Sequence, residues 1–235
     1  MSMIATHPSI PAVLQAIDLS KWLPLGDTRI DILNSVSLEV VHGEWVAVTG
    51  PSGSGKSTLL GLLAGLDEPS GGEVRLSGQN LFDAPEPELA RMRNRAIGIV
   101  FQSFHLIPTL TACENVEVPM QIGPDRANAS RRARELLEMV GLGDRLHHRP
   151  FQLSGGQQQR VAIARSLANS PDLILADEPT GNLDSKTATA ILDLFDRLKR
   201  DLGLTIVMIT HDPGVAARAD RTITIVDGRV AAPPQ

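Results

Sequence analysis

A single cysteine, Cys113, stands in a chain of 235 residues, so no internal disulfide can form. That fits a reducing compartment. No cysteine or histidine accompanies it at metal-ligand spacing, and it reads as a small, semi-buried filler. No apolar run approaches the roughly 18 residues needed to cross a bilayer. The apolar stretch 204–209 is only strand length and is interrupted by Thr205. The first dozen residues hold no basic stretch followed by an apolar one, so no secretory signal is visible. Residues 1–11 read as a short flexible tail. Positive charge is not in excess either: the net charge is −5, which argues against a nucleic-acid binder working through its whole surface. There is no sustained heptad pattern, no internal repeat and no low-complexity segment. What remains is an ordinary globular composition, 42% hydrophobic and 21% charged, long enough for one large domain or two small ones. Direct membrane insertion is not expected, and any membrane role must come through a partner.

Along the chain, 36–41 alternates apolar and polar through Val36, Leu38 and Val40, and a turn follows at His42-Gly43. The run 45–49 is short, apolar and bounded by glycines, as a buried strand should be. Leucines at 59, 60, 62 and 63 predict a buried helix over 57–64, stopped by Gly65 and Pro69-Ser70-Gly71-Gly72. Short strands are expected at 73–76 and 97–101, with a proline-initiated helix at 86–95 between them. Beyond residue 104 strand signals fade. Helices are expected at 130–140, ended by Gly141, and at 155–169. A strand at 173–176, a helix at 184–201, a strand at 204–209, a short helix after Pro213 and a hairpin at 221–230 complete the pass. Strands alternating with helices imply an α/β protein with a mostly parallel sheet. The segment 103–168 breaks the alternation and reads as a helical subdomain inserted into that core. Arg126, Arg131, Arg132 and Arg134, balanced by Glu135 and Glu138, read as a solvated helix face.

Gly50-Pro51-Ser52-Gly53-Ser54-Gly55-Lys56-Ser57-Thr58 matches the phosphate-binding P-loop, with an expected strand before it and a helix after it. The glycines let backbone amides turn inward around phosphate oxygens, and the helix start adds unpaired donors and partial positive charge. Lys56 can reach the β- and γ-phosphates, and the Ser57 hydroxyl can ligate Mg²⁺. This gives nucleotide binding but no reaction, because kinases, GTPases and ATPases share the loop.

The apolar run 173–176 leads straight into Asp177-Glu178, and carboxylates at the end of a buried strand are costly unless they have partners. In a P-loop protein Asp177 is placed to hold hydrated Mg²⁺, leaving Glu178 to orient and deprotonate water. Gln102 directly follows the strand 97–101. Its amide oxygen can ligate Mg²⁺ or water, although by itself it reads as a surface glutamine. His211, after the strand 204–209, can contact the γ-phosphate. By itself it reads as a solvated loop histidine.

Leu153-Ser154-Gly155-Gly156-Gln157 separates the P-loop classes. It resembles the signature of the ATP-binding cassette (ABC) ATPases, and Ser154 with Gln157 is also the pattern of a capping box. The same order of motifs runs through the chain: P-loop, Gln102, signature, Asp177-Glu178, Asn182-Leu183-Asp184 and His211. The resemblance spans about residues 13–230. It implies a P-loop NTPase (RecA-like) core over 12–102 and 169–235, with an N-terminal antiparallel β part and an α-helical subdomain over 103–168. It implies ATP and Mg²⁺ as ligands. Two chains would pair head to tail, with Ser154, Gly155, Gly156 and Gln157 of one copy closing over the ATP in the other's P-loop and Asp184 at the same interface. It also places Trp22 where the family stacks an aromatic ring on adenine. That residue is usually tyrosine, and this chain has none.

Two stretches resemble the lipoprotein-release and macrolide-export branch of bacterial subunits: Ala176-Asp177-Glu178-Pro179-Thr180-Gly181-Asn182-Leu183-Asp184 and Phe101-Gln102-Ser103-Phe104-His105-Leu106-Ile107-Pro108-Thr109-Leu110-Thr111. The resemblance implies an ATPase subunit, peripheral on the cytoplasmic face of the inner membrane, whose separate permease docks near residues 103–120. The alternative is a non-transport ABC ATPase regulating a membrane partner such as a cell-envelope enzyme complex. A DNA-repair member would need a long coiled coil and a translation factor would need two cassettes. A small-molecule kinase is disfavoured by the signature and by Glu178.

Overall fold

The computed structural model describes residues 12–26, 28–123 and 126–231; the tail expected over 1–11 lies outside them. The chain begins with two long strands, β1 (Ala12–Leu25) and β2 (Thr28–Val41), followed by β3 (Trp45–Thr49) and the helix α1 (Lys56–Leu63). Next come β4 (Gly71–Leu76), β5 (Gln79–Asn80), α2 (Glu86–Ala96) and β6 (Ile97–Phe101). A helical stretch holds α3 (Ala112–Glu117), α4 (Ala129–Met139) and α5 (Gly155–Ser166). Then follow β7 (Leu173–Asp177), α6 (Ser185–Leu202), β8 (Thr205–Ile209), α7 (Pro213–Ala216), β9 (Arg221–Val226) and β10 (Arg229–Val230).

The strands form two sheets. One is antiparallel, in the order β2-β1-β4-β5. The other has the order β10-β9-β3-β8-β7-β6 and is parallel except for the terminal β9–β10 hairpin. The sequence reading finds the second half of β2 but neither β1 nor residues 28–35. The reason is local. The β1 ladder shifts register around Ala16/Leu19 and Leu19/Lys21, with Asp18 in a left-handed conformation (φ 49°). Each bulge resets the two-residue alternation that makes a strand legible.

The central strands are buried on both faces, as parallel strands between layers must be. Ile174 and Ala176 of β7 and Ile206 and Met208 of β8 join a cluster with α3–α6. Their neighbours Leu173, Leu175, Val207 and Ile209 face α1 and the antiparallel sheet. Burying each such leucine or isoleucine contributes about 1.5–3 kcal/mol. In α4 the buried positions Ala129, Ala133, Leu136 and Leu137 repeat at helical spacing, and Gly141 (φ 78°) turns the chain after it. Arg131 and Arg132 pair with Glu135 on its outer side, in agreement with a solvated face. Cys113 is buried, and its thiol is pushed up to about 11 by that burial and by Glu117, which keeps it an unreactive filler.

Candidate active site

The P-loop connects the end of β3 to α1. Gly50, Gly53 and Gly55 all have positive φ (143°, 79° and 96°), a region that side chains rarely enter. Gly50 is also pressed from behind: a Cβ there would run into the carbonyl of Ile225 in β9. The β9–β10 hairpin braces the loop further, since Gly228 N donates to Ser54 O at 3.3 Å and Gly228 O accepts from Asn34 N at 2.8 Å. No side chain caps the start of α1, so its first amides are left for a ligand. They open on a cavity of about 520 Å³ lined by P-loop residues, by Ile32 of β2, and by Glu178 and His211.

Lys56 is buried and donates from Nζ to the carbonyls of Gly50 (2.9 Å) and Pro51 (2.7 Å). The Ser57 hydroxyl lies 3.4 Å from Asp177 Oδ1. Burial pushes the Asp177 carboxyl upward and Glu178 adds to this, against the Ser57 hydrogen bond and the charge of Lys56. A hydroxyl and a partly desolvated carboxylate side by side are hard oxygen donors suited to Mg²⁺, whose other ligands are ordinarily water and phosphate. Ser54 Oγ is buried without a hydrogen-bond partner among the described residues, a further donor suited to an anion in the loop.

Glu178 sits past the end of β7 with φ 43°, its amide donating to Ile209 O at 3.0 Å. Asp177 pairs in register with Ile209, so the ends of β7 and β8 are level and the residues just beyond them meet. Glu178 Oε1 is 3.0 Å from His211 Nδ1.

Gln102 and Trp22 do not line the cavity. Gln102 Nε2 donates to Asn182 Oδ1 at 3.2 Å, and Asn182 Nδ2 donates back to the Gln102 carbonyl at 3.1 Å. Gly181 leaves room for this pair, because a Cβ there would lie 2.6 Å from Gln102 Nε2. Trp22 is 40% exposed on β1, with the Arg29 guanidinium 6.0 Å from its ring centroid.

The Gly-rich segment 153–157 opens α5 with a complete capping box. Ser154 Oγ accepts from Gln157 N at 3.3 Å, and Gln157 Oε1 accepts from Ser154 N at 2.9 Å. Gly155 packs toward Leu183 and Phe104, while Gly156 packs against Thr187, whose methyl group a Cβ would strike. Thr187 is held by Asp184, the N-cap of α6: Oδ2 accepts from its hydroxyl at 2.6 Å and Oδ1 from its amide at 3.0 Å. Those hydrogen bonds keep the Asp184 carboxyl below the usual carboxylate range. No residue of 153–157 lines the P-loop cavity, so one copy brings the cradle and the cap to different places.

Sequence reasoning misses three residues that shape this region. Ile32 enters the cavity from the part of β2 that the alternation did not show. Arg165 donates to the carbonyls of Phe104 (2.8 Å) and His105 (2.5 Å), both of which have positive φ. Gln159 is wholly buried. Its signal was present, since Gln159, Ala162, Ile163 and Ser166 share the buried face of α5 and a glutamine there requires polar partners.

A P-loop leading from a parallel strand into a helix, with an aspartate and a glutamate at the end of the next strand but one, defines a P-loop nucleoside triphosphatase. The chain belongs to the ABC transporter family, whose sequence profile matches residues 33–181. It is 53% identical over 219 residues to an "uncharacterized ABC transporter ATP-binding protein" of Thermotoga maritima, covering 93% of each chain. It is 49% identical over 222 residues to the lipoprotein-releasing system ATP-binding protein LolD of Geobacter metallireducens, covering 94% of this chain and 99% of LolD. Among solved structures it superimposes with a TM-score of 0.85 on the dimeric ATP-binding cassette MJ0796 in a post-hydrolysis state bound to ADP and Pi; that pair is 44% identical and covers 93% and 97% of the two chains. The mostly parallel sheet, the antiparallel β part and the helices over 112–166 are the ABC ATPase fold.

Proposed function

We propose that two copies of this chain close head to tail over two ATP molecules and drive a separate membrane permease of the lipoprotein-release type, acting from the cytoplasmic face of the membrane. Among the described residues no helix is long and apolar enough to cross a membrane, so the link to the bilayer runs through that partner. One observation carries the reading: the P-loop cavity holds Lys56, Ser57, Glu178 and His211 but no residue of the Gly-rich cap. The anion-binding start of α5 is finished and exposed at Ser154, and a second copy completes the site.

In this arrangement the P-loop amides and Lys56 hold the β- and γ-phosphates. Ser57 and Asp177 would hold Mg²⁺, which would neutralise charge on the phosphates. The Glu178 carboxylate accepts a proton from the attacking water, and His211 fixes that carboxylate in place through the 3.0 Å contact to Oε1. Binding of ATP to the pair but not to separate copies stabilises the pair by mass action. The permease docks near 103–120, where Ile107 and Val118 are exposed and Arg165 fixes the backbone at Phe104 and His105.

The test is complementation between two variants. Lys56→Ala keeps a working cap, and Ser154→Ala keeps a working cradle. Each alone is expected to lose hydrolysis, and a mixture to recover it, because each mixed pair has one intact composite site. A Ser154→Ala chain that hydrolyses ATP at the parent rate would refute the proposal.

A further inference from the structure

The side chain of Gln159 lies on the buried face of α5, the helix that the Gly-rich cap begins, and is fully removed from solvent. Its carboxamide nitrogen carries two N–H bonds, and two backbone carbonyls take them. Pro179 O accepts at 2.6 Å and Phe101 O at 3.4 Å. Pro179 immediately follows Glu178. Phe101 is the last residue of β6 and immediately precedes Gln102. The carboxamide oxygen is buried with no hydrogen-bond partner among the described residues. An orphaned acceptor is destabilising, so a glutamine chosen for stability alone would be a poor occupant of this position. What the residue supplies is the double donor, a single side chain that spans both segments flanking the nucleotide site.

The surrounding bonds make the connection stiff. Arg165, further along α5, fixes the carbonyls of Phe104 and His105, so the chain from 101 to 105 is fastened to the helix at both ends. On the other segment the Glu178 amide is held by Ile209 O at 3.0 Å and its carbonyl by Gly181 N at 3.0 Å. The turn can therefore shift as a unit but has little freedom to flex.

We propose that Gln159 is a positioning residue for hydrolysis. It fastens the helix behind the cap to the Glu178 turn and to the strand end before Gln102, so that engagement of Ser154 by a second copy's nucleotide is transmitted to the carboxylate that activates water. This rests on the reading of Glu178 and Ser154 given above.

Gln159→Met in the full chain keeps the length and apolar packing of the side chain and removes both bonds. The expected result is a fall in kcat for ATP of about tenfold to a hundredfold, the scale of a misplaced catalytic group. KM for ATP and retention of a fluorescent ATP analogue should stay within about twofold, because the P-loop is untouched. Gln159→Asn, too short to span both carbonyls, should behave alike. An unchanged kcat, or kcat and KM moving together, overturns the proposal. Native-state amide exchange on the unsubstituted chain tests it even if both variants fail to fold. Residues 101–104 and 180–182 should open together with the first turns of α5, and separate opening of these segments would also overturn it. Glu178→Gln, assayed beside them, tells the two failures apart. If it hydrolyses ATP at the parent rate, the reading of the site is wrong. If it is inactive while Gln159→Met keeps its kcat, only the role of Gln159 is wrong.

Discussion

Glu178 Oε1 and His211 Nδ1 lie 3.0 Å apart, joined across the ends of two adjacent parallel strands although 33 residues separate them in the chain. The contact orients the carboxylate on the cavity wall without burying the imidazole, which remains 70% exposed. Glu178→Gln is expected to lower kcat by about 10²-fold or more while ATP binding persists. His211→Ala should lower kcat with a smaller change in KM, because it removes an orienting contact and leaves the P-loop intact. Steady-state hydrolysis beside nucleotide-binding titrations measures both.

Gly156 packs on the Thr187 methyl group, so the glycine is required by packing within one copy as well as by any approach of phosphate. Gly156→Ala should impair ATP-dependent pairing, scored by sizing in the Glu178→Gln background. Adding Thr187→Ser removes the opposing methyl while keeping the hydroxyl bond to Asp184. The double variant should regain much of the lost pairing. If it does not, the requirement for glycine comes from the nucleotide side alone.

Asp220, just before β9, ties β3 to α6. Its Oδ2 accepts from the Trp45 amide of β3 at 2.7 Å and from Lys199 of α6 at 2.6 Å. Partial burial raises its pKa, but Lys199 and the Trp45 amide outweigh this and hold the carboxyl below its ordinary value. A group depressed in the folded state stabilises above its unfolded pKa, about 4, and loses that contribution as pH falls through the folded value. Asp220→Asn should therefore lower Tm at pH 7, and the gap from the parent should close toward pH 3. Thermal melts across that range decide it, and a gap independent of pH would contradict the assignment.

Docking of the permease should depend on exposed side chains more than on buried ones. Leu106 packs against the helical core, and Phe104 is half-buried beside Gly155. Ile107 and Ile122, 40% and 75% exposed, are free of that duty. Changing these two to aspartate should weaken copurification with the permease while basal hydrolysis stays within about twofold, as is usual for surface changes away from structural features. Parallel loss of both would move the docking face elsewhere.

The parts of the molecule legible in the sequence are those governed by short-range rules. The glycines of the P-loop, the capping box at Ser154 and the apolar runs of β3, β7 and β8 each announce themselves within a few residues. What escapes is set by register and by distance. β1 hides behind its bulges, and with it the part of β2 that delivers Ile32. The meeting of Glu178 with His211 depends on Asp177 standing level with Ile209, a fact of strand pairing that no local pattern contains. Gln102 is expected at the site because it directly follows the strand 97–101, and Trp22 because of the family resemblance. The structure puts Gln102 against Asn182 and Trp22 beside Arg29.

The hairpin that ends in β10 presses its backbone on Gly50 and ties Gly228 to both Ser54 and Asn34. A loop written early in the message is therefore completed by one of its last segments. As the chain leaves the ribosome in order, β2 can already stand against the loop at Gly55, yet the backbone that presses on Gly50 and bonds Ser54 is missing until residues 225–228 have emerged. A nascent chain stalled short of that point would carry the whole nucleotide motif with one wall of its cradle still to be built.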